Sequence, residues 1–66
     1  MSRFIKIADI DRYGHKKNYL INVDSIDSIG PPQHEYCEYN IYIKNHYYCI
    51  STDDAYKIFR MLGISL

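Results

Sequence analysis

Two histidines and two cysteines form the sharpest chemical pattern in the chain. His34 and Cys37 are three residues apart, and His46 and Cys49 repeat that spacing twelve residues later. Two thiolates and two imidazoles make a complete tetrahedral ligand set for zinc. Residues three apart in an extended strand point to opposite faces, so neither pair chelates a metal unless its segment turns. We therefore expect no metal and no cofactor, and keep the zinc set as a minor alternative.

The same residue types allow a cysteine nucleophile, with Cys49 activated by His46 or His34. Such catalysis needs a lowered thiol pKa, an oriented base and a pocket that excludes water. A single domain of 66 residues has a thin core and little room for an enclosed active site. We expect the protein not to be an enzyme.

Tyrosine is the most informative contact residue, because five of the eight tyrosines fall between residues 36 and 48. Residues 36–50 alternate like a β-hairpin with a tight turn near Asn45 and His46. One predicted face is apolar, and the other carries Tyr42 and Tyr47. Exposed aromatic side chains are enriched at protein interfaces. The predicted partner-binding residues are Tyr36, Tyr42, Tyr47 and, on a separate turn, Tyr13.

A basic turn provides the alternative binding surface. Arg12, Lys16 and Lys17 flank Tyr13, so phosphate contacts and base stacking are both available there. The formal net charge of the chain is zero, and residues 21–40 carry only acidic charges. Neutral total charge disfavours nucleic acid as the partner, so we expect a protein partner first and nucleic acid second.

The cysteines and the N-terminus bear on location. In an extended strand Cys37 would share a face with Tyr39, and Cys49 would lie on the opposite face. We therefore expect no disulfide within the chain, and reduced thiols. No stretch approaches the roughly 20 apolar residues of a membrane span, and charges interrupt the N-terminal segment. These features predict a cytoplasmic protein with no membrane contact.

Alternation predicts two strands in the first third of the chain. Residues 3–10 and 18–23 alternate apolar and polar side chains, and a polar turn containing Gly14 joins them. Val23, Ile26 and Ile29 then recur every third residue. This spacing is typical of one helical or 3₁₀ turn, with a short third strand over residues 26–29 as the alternative. Pro31 ends this segment.

The C-terminal segment gives the clearest local signal, an amphipathic helix. Ser51 is a good N-cap, Asp53 and Asp54 favour the first turn, and Gly63 suits the left-handed position after the last turn. Its apolar stripe comprises Ala55, Ile58, Phe59 and Leu62.

We predict a small α+β fold in one domain over residues 1–66, with an antiparallel sheet of four to five strands in two hairpins. The sheet packs against the C-terminal helix. The predicted sheet side of the core comprises Ile5, Ile7, Ile21, Val23, Ile41, Ile43, Tyr48 and Ile50. So thin a layer leaves an exposed sheet edge, and a second copy or another protein's strand can pair with it. We expect a homodimer.

Two families share this order of elements. Residues 19–29, the hairpin over residues 41–50 and the helix capped by Ser51 resemble small FlbD-type flagellar-associated proteins. They also resemble the C-terminal half of the LytTR DNA-binding domain. Both resemblances imply a compact β-rich fold. The usual Asn-Gly hairpin turn is replaced here by Asn45 and His46, and the basic residues through which a LytTR domain meets DNA are not evident.

The function expected from these patterns is non-enzymatic. A small module of this kind binds another protein and modulates or blocks it by occupying a surface. Size and composition favour a phage or mobile-element inhibitor of a host system as its specific form. The alternative is a nucleic-acid-binding regulator that uses the basic turn over residues 12–17.

Overall fold

The computed structural model describes residues 3–64 of the chain. This range contains five antiparallel strands in two sheets and one C-terminal helix, which confirms the predicted α+β fold class. In chain order the elements are β1 Phe4–Ile10, β2 Lys16–Asn22, a 3₁₀ turn Val23–Ser25, β3 Ser28–Gly30, β4 Tyr39–Ile43, β5 His46–Ile50 and α1 Thr52–Leu62. The strand order is β1-β2 in one sheet and β3-β4-β5 in the other.

The first hairpin pairs β1 with β2 along their whole length, from Phe4 opposite Asn22 to Ile10 opposite Lys16. Asp11 organises the connecting turn. Its carboxylate accepts the backbone N–H groups of Tyr13 and His15, both at 2.9 Å. This is the local side-chain-to-backbone bonding that favours aspartate in turns.

Both structures predicted for residues 23–29 occur, one after the other. The 3₁₀ turn Val23–Ser25 comes first, and the side chain of Asn22 caps it by accepting the N–H of Asp24 at 3.0 Å. Strand β3 follows and pairs with β4, with Ile29 opposite Ile41.

The second hairpin has the predicted faces, with Ile41 opposite Tyr48. Its two-residue turn consists of Lys44 and Asn45, one position earlier than predicted, because His46 is already the first residue of β5. Lys44 adopts a positive φ of 55°, and its N–H donates to Asp27 Oδ2 at 2.6 Å. That bond holds a residue type that seldom enters the left-handed region.

Helix α1 begins and ends as the sequence predicts. The Ser51 hydroxyl accepts the N–H of Asp54 at 3.2 Å, and Gly63 follows the helix with φ 74°. The N–H of Ile64 returns to the carbonyl of Phe59 at 2.9 Å, which completes a Schellman-type end.

The core lies between the two sheets and the buried side of α1. Tyr39 of β4 meets Phe59 of the helix edge to face, with ring centroids 5.8 Å apart. The half-buried side chains at its margin include Ile5, Ile43, Tyr48 and Leu62, which were predicted as core. The buried members are Ile7, Ile21, Val23, Ile41, Ile50, Ala55, Ile58 and Phe59.

Two carboxylates accept backbone N–H groups where β1 lies beside β5: Asp9 links the two sheets, and Asp54 links β1 to α1. The N–H of Cys49 donates to Asp9 Oδ1 at 2.9 Å, and the N–H of Ala8 donates to Asp54 Oδ2 at 3.0 Å. Tyr19 and Tyr48 also meet edge to face across this boundary at 5.2 Å. We call the pair of carboxylate bonds the carboxylate bridge. Its carboxylates accept the two backbone N–H groups that would bond to a neighbouring strand if β1 and β5 were paired in one sheet.

Replacing Asp54 with alanine tests the carboxylate bridge. Asp54→Ala leaves the N–H of Ala8 without its acceptor, so we expect the free energy of unfolding to fall by about 1–3 kcal/mol. Asp53→Ala is the matched control, because Asp53 occupies the same first turn of α1 but is exposed. Urea denaturation of both variants measures the difference. Equal losses would mean that charge near the helix N-terminus, and not the bridge, supplies the stability.

Candidate functional site

A disulfide between Cys37 and Cys49 corrects the expectation of reduced thiols. The two Cα atoms are 5.3 Å apart, and both side chains are buried. The expectation assumed that Cys37 belongs to the strand and alternates with its neighbours. Strand β4 begins only at Tyr39, so the alternation does not extend to Cys37. Cys37 instead ends a turn in which its N–H donates to the carbonyl of His34 at 3.0 Å. This turn brings Cys37 to the face of the hairpin that carries Cys49.

The zinc set and the cysteine nucleophile therefore do not form. Both sulfur atoms of the set His34, Cys37, His46 and Cys49 are taken up by the disulfide, so neither thiolate is available. Within residues 3–64, no group of three or more histidine, cysteine, aspartate or glutamate side chains is arranged to hold a metal ion.

Asn40 lies beneath the loop over residues 31–38, and its side chain hydrogen-bonds this loop to β5. Its side chain is 0% exposed, although it lies on the hairpin face predicted to be open. Asn40 Oδ1 accepts the N–H of Gln33 at 2.8 Å, and Nδ2 donates to the carbonyl of Tyr48 at 3.2 Å. The loop thus covers Asn40 and Cys49 and is held from both ends, by Gln33 and by the disulfide.

Two of the predicted tyrosines remain together beside this loop. Tyr42 and Tyr47 are opposite each other in the hairpin, and their ring centroids are 6.3 Å apart. Tyr47 is 48% exposed. Tyr42 is half-buried: Gln33 Nε2 donates to its hydroxyl at 2.9 Å, and its ring lies over Gly30, where an added Cβ would be 3.5 Å from Cε2.

Tyr36 belongs to the covering loop. Its ring stacks on His34 with an interplanar angle of 5° and a centroid distance of 5.1 Å. Its backbone carbonyl lies beside Cys49 Sγ. Together Tyr36, Tyr42 and Tyr47 constitute what we call the tyrosine surface, on the outer face of the β4–β5 hairpin.

The fourth predicted tyrosine lies elsewhere. Tyr13 is 75% exposed on the β1–β2 turn, and its ring lies near His15, with centroids 6.2 Å apart. The structure therefore groups Tyr13 with Arg12, Lys16 and Lys17, all of which are exposed.

Acidic side chains lie within this basic turn. A cleft of about 280 Å³ beside it is lined by Asp9, Asp11, His15, Lys17 and Tyr19. Partial desolvation acts to raise the pKa of Asp11, but the N–H groups of His15 and Tyr13 and the nearby imidazole outweigh it, and the net pKa is lowered. A carboxylate that stays ionised reduces the positive potential available to phosphate.

Glu38 connects the disulfide-bonded loop to the helix, a role that the sequence did not reveal. Its carboxylate accepts the N–H of Thr52 at 3.0 Å and the Thr52 hydroxyl at 2.9 Å. The backbone bond from Thr52, followed by the hydroxyl bond, lowers the pKa of Glu38. The carboxylate also lies at the helix N-terminus, where negative charge is favoured.

The disulfide bears on location, because structural disulfides persist mainly in oxidising compartments. The cytoplasmic location, expected from the absence of a targeting signal and of a membrane span, stays a prediction. Among residues 3–64, no helix has the length and apolar character of a membrane span.

Comparison with protein-family models, curated proteins and solved structures finds no match to this chain. The resemblances to FlbD-type proteins and to LytTR domains therefore stay predictions.

Removing the disulfide should loosen the loop that carries Tyr36 and holds Tyr42. The bond closes a segment with a sequence separation of 12. For the double variant Cys37→Ser, Cys49→Ser we expect the free energy of unfolding to fall by roughly 2–4 kcal/mol. Urea denaturation with and without a phosphine reductant measures this change, and only the parent protein should respond to reductant. Two titratable thiols in the untreated folded protein would contradict the assignment.

Acid should weaken the contact between Glu38 and the helix. A carboxyl whose pKa is lowered by folding stabilises the native state above its unfolded pKa of about 4.3, and this contribution is lost as the pH falls through the folded pKa. Glu38→Gln should therefore reduce the dependence of stability on pH below about pH 4.5. Thermal unfolding between pH 2 and 7 measures the effect.

Glu35→Gln is the control for Glu38→Gln, because it removes the same charge from an exposed position in the same loop. If both variants flatten the acid limb equally, the loss of charge, and not the contact with Thr52, is responsible.

Proposed function

We propose that this protein is a small non-enzymatic module that binds another protein through the tyrosine surface and modulates or blocks that partner. The observation that carries the proposal is the pair Tyr42 and Tyr47, two adjacent rings on a covalently constrained face. Their apolar bodies and polar hydroxyl groups suit a surface that exchanges water for a protein partner.

The constraint on this face matters as much as its chemistry. Gln33 holds the Tyr42 hydroxyl, Asn40 holds the backbone of Gln33, and the disulfide holds the other end of the loop. Ordering of side chains and loops is a large part of the unfavourable free energy of association. Because these groups are already held in place, little of that free energy is lost when a partner binds. Tyrosine itself has few rotatable bonds to immobilise.

Blocking a partner requires only that a surface be covered. The described chain offers a compact body of 35 × 23 × 20 Å behind the tyrosine surface, large enough to exclude a second ligand from the same place. We propose a phage or mobile-element inhibitor of a host system as the specific form of this activity. Its support is the small size and the composition of the chain.

Nucleic acid binding through Arg12, Lys16 and Lys17 is the alternative, and their exposure at one end of the first hairpin favours it. Asp11 at the centre of the turn and the acidic lining of the adjacent cleft weaken it. The two functions differ in salt dependence, since phosphate contacts weaken steeply as salt rises.

The decisive experiment removes the paired rings. Tyr42→Ala with Tyr47→Ala should weaken capture of a partner from host lysate by at least about 30-fold, corresponding to about 2 kcal/mol for hot-spot residues. Affinity capture followed by quantitative mass spectrometry, at low and high salt, measures the loss. Tyr56→Ala is the control, because Tyr56 on α1 is about as exposed as Tyr47, at 44% and 48%.

The charge-reversal variant Lys16→Glu, Lys17→Glu completes the design. It should retain the protein partner. Loss of binding only in this variant, with a steep salt dependence, would replace the tyrosine surface with the nucleic-acid alternative.

A further inference from the structure

Strand β2 has the open edge of the first sheet. On the other side of that sheet, β1 faces β5, and the carboxylate bridge occupies the space between them. The free edge of the second sheet, β3, has only three residues and is followed by Pro31 and Pro32, which cannot donate backbone hydrogen bonds. Strand β2 has seven residues and no proline, and no described residue pairs with its outer edge.

The hydrogen bonds at the two ends of the first hairpin show which backbone groups of β2 face outward. The N–H of Val23 donates to the carbonyl of Arg3, and the N–H of Asp11 donates to the carbonyl of His15. These bonds mark positions at which β1 and β2 direct their backbone groups toward each other, and such positions recur every second residue in an antiparallel ladder. Odd-numbered residues of β2 therefore bond to β1. Lys16, Asn18 and Leu20 direct their N–H and C=O groups to the open edge.

Apolar side chains lie next to these free groups. Leu20 is 70% exposed, and Phe4 on the adjacent strand is 54% exposed. Phe4 is opposite Asn22 and therefore diagonal to Leu20 on the same face of the sheet. An open strand edge with adjoining exposed apolar side chains favours pairing with another strand.

We propose that β2 pairs antiparallel with β2 of a second copy, about a two-fold axis at Tyr19. This register uses all seven residues and places Asn18 of one copy opposite Leu20 of the other. The Leu20 side chains of both copies become diagonal neighbours, which buries the most exposed apolar group on the strand. An isologous contact of this kind closes the assembly at two copies.

The charges along β2 suit an antiparallel second copy as the occupant, because this register keeps the lysines of the two copies apart. Lys16 and Lys17 lie at one end of β2, and Asp24 lies just beyond the other end, paired with Arg3 at 2.7 Å. In the antiparallel register the lysines of one copy approach the Asp24 end of its partner, and the two lysine pairs stay about 20 Å apart. The zero net charge of the chain adds no overall repulsion. This contact is separate from the tyrosine surface and does not depend on the proposed function.

Sedimentation velocity of the purified protein over a concentration series tests the dimer. The expected result is a concentration-dependent dimer that Leu20→Lys weakens roughly tenfold or more, because the new cations become neighbours across the axis. Leu20→Pro should also weaken it, since it removes an outward N–H without removing a bond to β1. Circular dichroism confirms that the variants remain folded.

Tyr47→Lys is the control that separates the two surfaces, and it should leave the dimer unchanged. Loss of the dimer in this variant alone would assign self-association to the tyrosine surface and overturn the proposal. A protein that stays monomeric at about 1 mM, or a dimer that Leu20→Lys does not affect, would also overturn it. So would a protein that remains monomeric alone and accepts only a strand from a different protein.

Cross-linking tests the register. In the proposed dimer the two copies of residue 19 form a pair with Cα atoms about 4.5 Å apart. Tyr19→Cys should therefore give a covalent dimer on mild oxidation. Lys16→Cys should not, since its two copies lie at opposite ends of the paired strands. A covalent dimer through position 16 and not through position 19 would overturn this register.

Discussion

The backbone N–H groups of Ala8 and Cys49 need hydrogen-bond acceptors, and the packing of this small domain depends on supplying them. They belong to strands that lie side by side without pairing, and each donor would lose its hydrogen bond on burial if no acceptor replaced water. Asp9 and Asp54 provide the acceptors. An unsatisfied buried donor costs a sizeable part of the stability of a domain this size. Asp9 thus ties β1 to β5, and Asp54 ties β1 to the helix that follows β5.

That constraint extends to the outer face of the hairpin. Asp9 fixes the backbone of Cys49, and the disulfide carries this fixed point to Cys37. Glu38, the next residue, then binds the first residue of α1. A short path of bonds therefore runs from β1 through the hairpin to the helix. The tyrosine surface borders this path, because Tyr36 directly precedes Cys37 in the chain.

Much of the fold could be predicted from the sequence because its signals are local. Ser51 and Gly63 mark the ends of α1 through backbone chemistry that acts within one turn. The alternation around Ile41 identifies the hairpin faces for any two-residue turn, so placing the turn one residue late did not change them. Local signals of this kind are robust to the rest of the structure.

The disulfide and the buried Asn40 could not be predicted in the same way, because both depend on the path of the loop over residues 31–38. The alternation of strand β4 does not hold at Cys37, because a turn that starts at His34 places this residue. Asn40 has the strand position of an exposed residue and is buried only because the loop returns over it. The position of Asp54 in the first turn of α1 predicts only a favourable interaction with the helix dipole. Its hydrogen bond to the N–H of Ala8 is not predictable from local spacing, because the two residues are 46 positions apart. Long-range partners leave little trace in a single sequence.

The disulfide also gives part of the chain a ring topology. Residues 37–49, with β4, the turn at Lys44 and most of β5, form a covalently closed loop. A peptide bond cut anywhere inside this ring leaves both fragments attached, so a nick at the exposed Lys44 turn neither releases a piece nor separates the paired strands. For the proposed function, which needs one face of this hairpin to stay in place, the ring makes this exposed turn a tolerant one.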